Sequence, residues 1–283
     1  HYYIMIIWLA SYPKSGNTWV RLFLKHYFKG PEEKFEINSE KNNQFQNISF
    51  PDRYLLKEMN IDYLKFEEIV KNWETIQDSM NLNNKTNFVK THSSMCTIGK
   101  HRFTSKRNIK GAIYIVRDPR DVLVSNSYYF GLDYEKTYQR LTSSSIFEYH
   151  SLKNSSEKFK KSLIGSWSDN YNSWKNYKLS PILIIKYEDM VLNGHDTFLK
   201  IIKYLNKIDG LKVDGTKIKN SFEQTEFNKL QKMEIKHGFE DKANKGFFFR
   251  KGKIGSWKDE VPDEIIKKIE KIFYQEMVEL KYL

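Results

Sequence analysis

Cysteine is almost absent from this chain. One residue, Cys96, stands in 283, so no disulfide can form within it, and a reducing compartment is expected. Long apolar runs are missing too. No stretch reaches the roughly 18 apolar residues of a membrane-spanning helix, so no span is expected. Residues 1–8 are apolar but lack the charged n-region and small-residue cleavage site of a signal peptide. These features together lead us to expect a cytoplasmic protein, with a leader or anchor ahead of His1 left open. The histidines, at 1, 26, 92, 101, 150, 195 and 237, form no HxH or HExxH pair, so no metal site is expected. Acidic residues are outnumbered, 35 against 47 basic, which leaves a net charge of +12. A basic surface attracts nucleotides, polyanions or acidic membranes without choosing among them.

What is present is an alternation of strand and helix signals. Ile4–Ala10, Asn87–Thr91, Ala112–Val116 and Ile182–Tyr187 are short, nearly continuous apolar runs, as in strands buried on both faces of a parallel sheet. Helical patterns follow or separate them: Thr18–Phe28, a helix opened by Asp118 as N-cap and Pro119 at its first position, and helices over 156–178 and 196–206. Ile265, Ile269, Ile272, Phe273 and Leu280 mark one face of a C-terminal helix. The expected fold is α/β, a single domain over 1–283 with a central parallel sheet flanked by helices. Residues 29–85 read as a polar, mostly helical surface excursion. Residues 232–256, rich in Lys, Gly and Phe, read as a long loop of the kind that covers a ligand.

The sharpest local signal is Tyr12-Pro13-Lys14-Ser15-Gly16-Asn17-Thr18-Trp19, directly behind the first apolar run. A strand feeding a tight turn and then a helix aims backbone N–H groups and a helix dipole at one point, which suits a phosphate or sulfate. The segment is P-loop-like but is not a Walker A loop. That motif places its lysine after the second glycine, whereas Lys14 precedes Gly16. In open parallel sheets ligands bind at the carboxyl ends of strands. The residues expected there are Lys14 to Thr18, then Lys90-Thr91-His92, Arg117 and Tyr187.

With Arg250-Lys251-Gly252-Lys253-Ile254-Gly255-Ser256-Trp257 added, the chain resembles the sulfotransferases that use 3′-phosphoadenosine 5′-phosphosulfate (PAPS), its soluble small-molecule branch above all. The resemblance spans nearly the whole chain in four ordered blocks. It implies that Lys14, Ser15, Gly16, Asn17 and Thr18 hold the 5′-phosphosulfate. It further implies that Arg117, Ser125, Arg250, Lys251 and Gly252 grip the 3′-phosphate, and that Trp19, Tyr187 and Phe222 contact the adenine. In that pattern His92 is the general base, its unperturbed pKa lying near neutrality. Lys14 steadies the leaving oxygen and Lys90 the transferring sulfuryl group. The product nucleotide would be 3′,5′-diphosphoadenosine (PAP), with no metal required.

The chain departs from the pattern in places. Asn17 replaces a threonine common in animal members, and Ser256 the usual acidic or amide residue before the tryptophan. After Trp257 the chain reads Lys258-Asp259-Glu260-Val261-Pro262, without the Lys-xxx-Thr-Val dimer motif of animal enzymes, so the oligomeric state stays open. The expected acceptor is a small molecule sulfated on a hydroxyl, such as a phenol, steroid, polyketide or alkaloid. Tyr128, Tyr129, Phe130, Trp167, Tyr171 and Phe239 are candidate lining residues, with core packing an equal explanation. Two other functions compete. An ATP-dependent small-molecule kinase of related topology would need a Walker lysine and Mg²⁺ ligands. A basic nucleic-acid-binding protein is suggested by net charge alone, and neither a nucleic-acid partner nor a membrane span is expected.

Overall fold

The apolar runs of the sequence become strands of one sheet. The computed structural model describes residues 6–29, 34–38, 48–80, 86–151, 158–240 and 246–283. In chain order the strands are β1 (Ile6–Ser11), β2 (Ile48–Ser49), β3 (Asn87–Thr91), β4 (Thr97–Ile98), β5 (His101–Arg102), β6 (Ile109–Val116), β7 (Phe147–Ser151), β8 (Lys158–Leu163) and β9 (Ile182–Lys186). The first helices are α1 (Asn17–Tyr27), α2 (Arg53–Glu58), α3 (Phe66–Lys71), α4 (Trp73–Met80), α5 (Pro119–Phe130), α6 (Tyr134–Thr142) and α7 (Trp167–Lys175). After β9 come α8 (Tyr187–Leu192), α9 (Gly194–Asp209), α10 (Gly215–Gln224), α11 (Phe227–His237), α12 (Trp257–Glu260), α13 (Asp263–Ile272) and α14 (Tyr274–Glu279).

The central sheet is parallel, with strand order β2-β3-β1-β6-β9. Every residue of β1 is buried, as an apolar strand covered on both faces should be. Its register against β3 runs from Ile6 opposite Asn87 to Ala10 opposite Thr91. That register sets the carboxyl ends of β1 and β3 side by side.

The chain forms two compact units. The first comprises His1–Tyr12, Gln46–Tyr114 and Ser143–Ile184. Its core is aromatic: the Trp8 ring lies 5.2 Å from Phe50 and 5.1 Å from Phe103, and Trp73 and Trp174 are fully buried. A capping box, Ser166 with Asp169, starts α7. The second unit comprises Pro13–Phe45, Ile115–Thr142 and Ile185–Leu283. It holds α1 and α5, with Phe23 stacked on Phe198 at 4.2 Å and a cluster of Leu22, Ile37, Leu230, Phe239 and Phe249.

Several expectations from sequence are corrected. The helix expected over 156–178 is the strand β8 followed by α7. Its pattern misleads because Lys161, 6% exposed, sits with Phe159 and Ser162 among buried residues, so charge does not mark the outer face. The excursion 29–85 does carry α2 to α4, yet Ile48 and Ser49 join the central sheet, and Phe50, Leu56 and Ile76 are buried. The segment 232–256 begins as the last turns of α11, and loop follows only after His237. The C-terminal face is split between α13 and α14, with Ile272 49% exposed. Trp167, Tyr171 and Phe239 are core residues, whereas Tyr128, Tyr129 and Phe130 are half-buried. Of the first expected strand, residues 4 and 5 lie outside the described residues.

Candidate active site

In the second unit, the turn into α1 is built from unusual backbone. Lys14 has φ 69° and Gly16 φ 103°, both left-handed, and the former is a strained position for a residue with a side chain. At Gly16 glycine is required twice over. A Cβ there would lie 2.7 Å from the Tyr187 ring as well as suffering the positive φ. Gly16 is the N-cap of α1 and supplies no side-chain cap to the first turn. Ser15 is fully buried, and its Oγ has no hydrogen-bond partner among the described residues. A buried hydroxyl left unpaired beside an uncapped helix start is an unusual expense for a fold unless an anion completes the site. Asn17 is buried and Thr18 half-buried in the same turn. The Lys14 ammonium lies 3.7 Å from the Phe248 ring centroid and 4.1 Å from that of Tyr129, a pair of cation–π contacts.

Arg117 follows β6 and binds this turn. Its Nη1 donates to the Lys14 carbonyl at 3.2 Å and its Nη2 to that of Lys253, also at 3.2 Å. The guanidinium sits 4.2 Å over the Tyr187 ring. Asp118 caps α5 as the sequence predicts, accepting from the Arg120 N–H at 2.9 Å, with Pro119 at the first position. Ser125 is half-buried farther along α5. Trp19 is surrounded by aromatic rings: Phe198 at 5.6 Å, Tyr187 at 6.3 Å, and Phe222 at 6.4 Å in a near-parallel arrangement. Tyr187 is buried, which raises its hydroxyl pKa, while Phe222 is only half-buried.

The segment 250–257 is held at several points that sequence reasoning missed. Glu234 of α11 accepts from the backbone N–H of Phe248 at 2.7 Å and of Phe249 at 2.8 Å. Gln231 donates to the Phe249 and Arg250 carbonyls. Asp121 of α5, 1% exposed, accepts from the N–H of Gly255 at 2.7 Å and of Trp257 at 3.3 Å. Burial raises the Asp121 pKa against the pull of nearby Arg117. Asp121 thus anchors this segment from α5. Gly252 has φ 60°, and a Cβ there would meet the Phe227 ring at 2.3 Å, so helix packing explains this glycine. Arg250 and Lys251 both pair with Glu260.

In the first unit, His92 follows β3. Its Nδ1 lies 2.8 Å from the Ser11 carbonyl, a contact that requires the proton on Nδ1 and leaves the lone pair on Nε2. The main chain there is pinned by α7, where Asn170 donates to the His92 carbonyl at 3.0 Å and Trp174 to the Ser93 carbonyl at 2.9 Å. Burial first, and then Lys90, push the His92 pKa down to about 3. Burial and Lys90 thus favour the neutral form of this imidazole over the protonated one. Glu148 of β7 and Lys161 of β8 also face this histidine, and neither stood out in the sequence. Burial opposes ionisation of Glu148, but Lys161 and Lys90 outweigh it and hold its pKa at about 2. The Ser162 hydroxyl donates to Glu148 at 3.1 Å, and Lys161 donates to Ser49 Oγ at 2.6 Å.

Comparison with known proteins identifies the family. A family model described as the sulfotransferase domain matches residues 6–281. Amine sulfotransferase of Oryctolagus cuniculus is 27% identical over 282 residues, which cover 96% of this chain and 80% of that protein. Flavonol 3-sulfotransferase of Flaveria bidentis is 26% identical over 287 residues, covering 96% and 81%. Among solved structures, mouse sulfotransferase SULT7A1 complexed with PAP aligns with a TM-score of 0.57 at 20% identity, over 96% of this chain and 84% of that one. Retinol dehydratase complexed with retinol and PAP also aligns at 0.57, with 18% identity over 97% and 82%. These two likenesses are likenesses of fold.

Proposed function

The chain belongs to the sulfotransferase family, and on that premise we propose that it moves a sulfuryl group from PAPS to a hydroxyl of a small-molecule acceptor. The observation that carries the reading is the turn at Lys14–Gly16, with its two left-handed residues, its buried unpaired Ser15 hydroxyl and its uncapped helix start. Such a turn fits a sulfate or phosphate better than it fits water. PAPS, when bound, supplies the sulfuryl group on a phosphate leaving group.

The residues divide the remaining work. Lys14, Ser15, Gly16, Asn17 and Thr18 hold the 5′-phosphosulfate, and the Lys14 ammonium meets charge that develops on the leaving oxygen. Trp19, Tyr187 and Phe222 hold the adenine, supported by their shared ring contacts. Arg117, Ser125, Arg250, Lys251 and Gly252 take the 3′-phosphate, the arginines through planar forks. Lys90 steadies the sulfuryl oxygens. His92 receives the acceptor's hydroxyl proton on Nε2, while its Nδ1–H remains on the Ser11 carbonyl. The lysines supply the positive charge that Mg²⁺ supplies in kinases, so no metal is assigned a part. The protein acts in the cytoplasm in this reading, as a single catalytic domain over 1–283.

Nucleotide binding tests the proposal first. PAP at about 100 times its dissociation constant should stabilise the protein by about 2.7 kcal/mol, and AMP, which lacks the 3′-phosphate, by much less. Equal stabilisation by the two nucleotides would remove the 3′-phosphate clamp. A panel of phenols, steroids and amines incubated with PAPS, scored by the mass gain of one sulfo group, then identifies the acceptor class.

A further inference from the structure

Arg250 and Lys251 already share an anion. Glu260, the last residue of α12, accepts from Arg250 Nη1 at 3.0 Å through Oε2 and from Lys251 Nζ at 2.8 Å through Oε1. Its second oxygen also lies 3.4 Å from Arg250 Nη2. Oε2 thus serves Arg250 alone while Oε1 is shared by Lys251 and Arg250, a bridging of two cations that two oxygens of a phosphate could also provide. The carboxylate lies in the stretch Lys258-Asp259-Glu260-Val261-Pro262.

The carboxylate is delivered by a fixed element. Asp121 holds the N–H groups of Gly255 and Trp257, at the start of α12. The Arg120 guanidinium lies 3.9 Å over the Trp257 ring, and Val261, just past Glu260, is buried. The cations are the looser partners, since the Lys251 side chain is 45% exposed and that of Arg250 25%. Glu260 itself is 21% exposed, so the pair is neither deep enough to be locked nor exposed enough to be negligible.

We propose that Glu260 is a built-in competitor for the 3′-phosphate, and hence a residue that sets the affinity and selectivity of nucleotide binding. The inference rests on the assignment of Arg250 and Lys251 to that phosphate. An incoming 3′-phosphate either takes the two cations from Glu260 or shares them beside a fixed negative charge. Both routes lower affinity for a nucleotide that carries the group and leave one that lacks it unaffected. The product therefore leaves more readily than an unopposed pair of cations would allow, because the carboxylate refills the clamp as the phosphate departs.

The test measures dissociation constants of PAP and AMP for the wild type and Glu260→Gln, with Glu260→Ala as a second variant and the melting temperature of each ligand-free protein recorded. Glu260→Gln is expected to bind PAP about fivefold more tightly while its AMP affinity stays within about twofold. The gain should shrink as salt is raised from about 0.05 M to about 0.5 M, since screening weakens the competing charge. PAP binding that is unchanged or weaker in both variants overturns the proposal and makes Glu260 an organiser of the clamp. Equal changes for PAP and AMP overturn it too, by reducing Glu260 to a structural part. A wild type that does not prefer PAP over AMP removes the 3′-phosphate assignment itself, and the proposal with it, which is a different failure from the other two.

Discussion

His92 and the pair Arg250 and Lys251 are held by opposite means. His92 is fixed through backbone: its Nδ1 bonds to the Ser11 carbonyl, and its own carbonyl takes the Asn170 amide. No anion displaces a main-chain carbonyl in a strand, so the imidazole keeps one tautomer and one orientation. Arg250 and Lys251 are fixed through a side chain, the half-buried Glu260, which an incoming anion can replace. The first arrangement suits a group that must present one lone pair in one direction. The second suits groups that must exchange partners at every turnover. Each lies within its own unit of the chain.

The largest separation between them should come from His92→Ala. Loss of a general base costs on the order of 10²–10⁴ in rate. The clamp is untouched, so PAP affinity should stay within about twofold. Single-turnover transfer and PAP titration on one sample of the variant check both halves. Near-normal transfer by a folded variant would hand the proton to another group or to the acceptor's own acidity.

A smaller effect of the opposite kind is expected from Asp121→Asn. The variant keeps an oxygen for only one of the two loop N–H groups and turns an amide toward the other. A buried unpaired donor costs about 1–3 kcal/mol. The melting temperature should fall and PAP should bind more weakly, because the loop carrying Arg250 and Lys251 loses its anchor on α5. The rate of the chemical step at saturating PAPS should change little. A variant with normal stability and normal PAP affinity would show that Glu234 and Gln231 suffice to hold that loop.

How much of this was legible beforehand differs between the same two regions. The strands were readable because burial on both faces demands continuous apolar residues: Asn87–Thr91 is a strand with the predicted bounds, and Asp118-Pro119 opens α5 as capping chemistry requires. The residues proposed for the phosphosulfate turn were readable because glycine and a strand-to-helix junction leave a local signature. The partners that hold the site were not. Asp121, Glu234 and Glu260 are acidic residues on helical stretches, where solvated surface is the ordinary expectation, and their bonds span 9 to 136 positions of sequence. Lys161 and Glu148 hid for a related reason. A buried lysine in a strand reads as an outward-facing one, so the stretch 156–178 looked helical and the charged surroundings of His92 went unseen.

The smallest expected effect concerns pH, and it separates an exposed histidine from the one found here. His92 is pushed from the ordinary value near 6.5 to about 3 by burial and by Lys90, so the free protein holds it neutral down to strongly acid solution. The dependence of kcat/KM on pH should therefore show no His92 limb near pH 6 to 7. A fall there comes from a group other than His92. Stability carries the complementary signature. Between about pH 6.5 and 3 the unfolded chain binds a proton at this position and the folded chain does not, so folding weakens as pH falls through that window and is insensitive to His92 above it. His26, held down to about 4 by burial and by Lys29 and Lys217, adds to the same slope. Denaturant unfolding at a series of pH values, repeated on His92→Gln, reads the contribution directly. The variant should lose part of the slope between pH 6.5 and 4 and match the wild-type slope above 7. An NMR titration that finds His92 protonating near pH 6.5 would mean that the imidazole is solvated and that its Nδ1 is not committed to the Ser11 carbonyl.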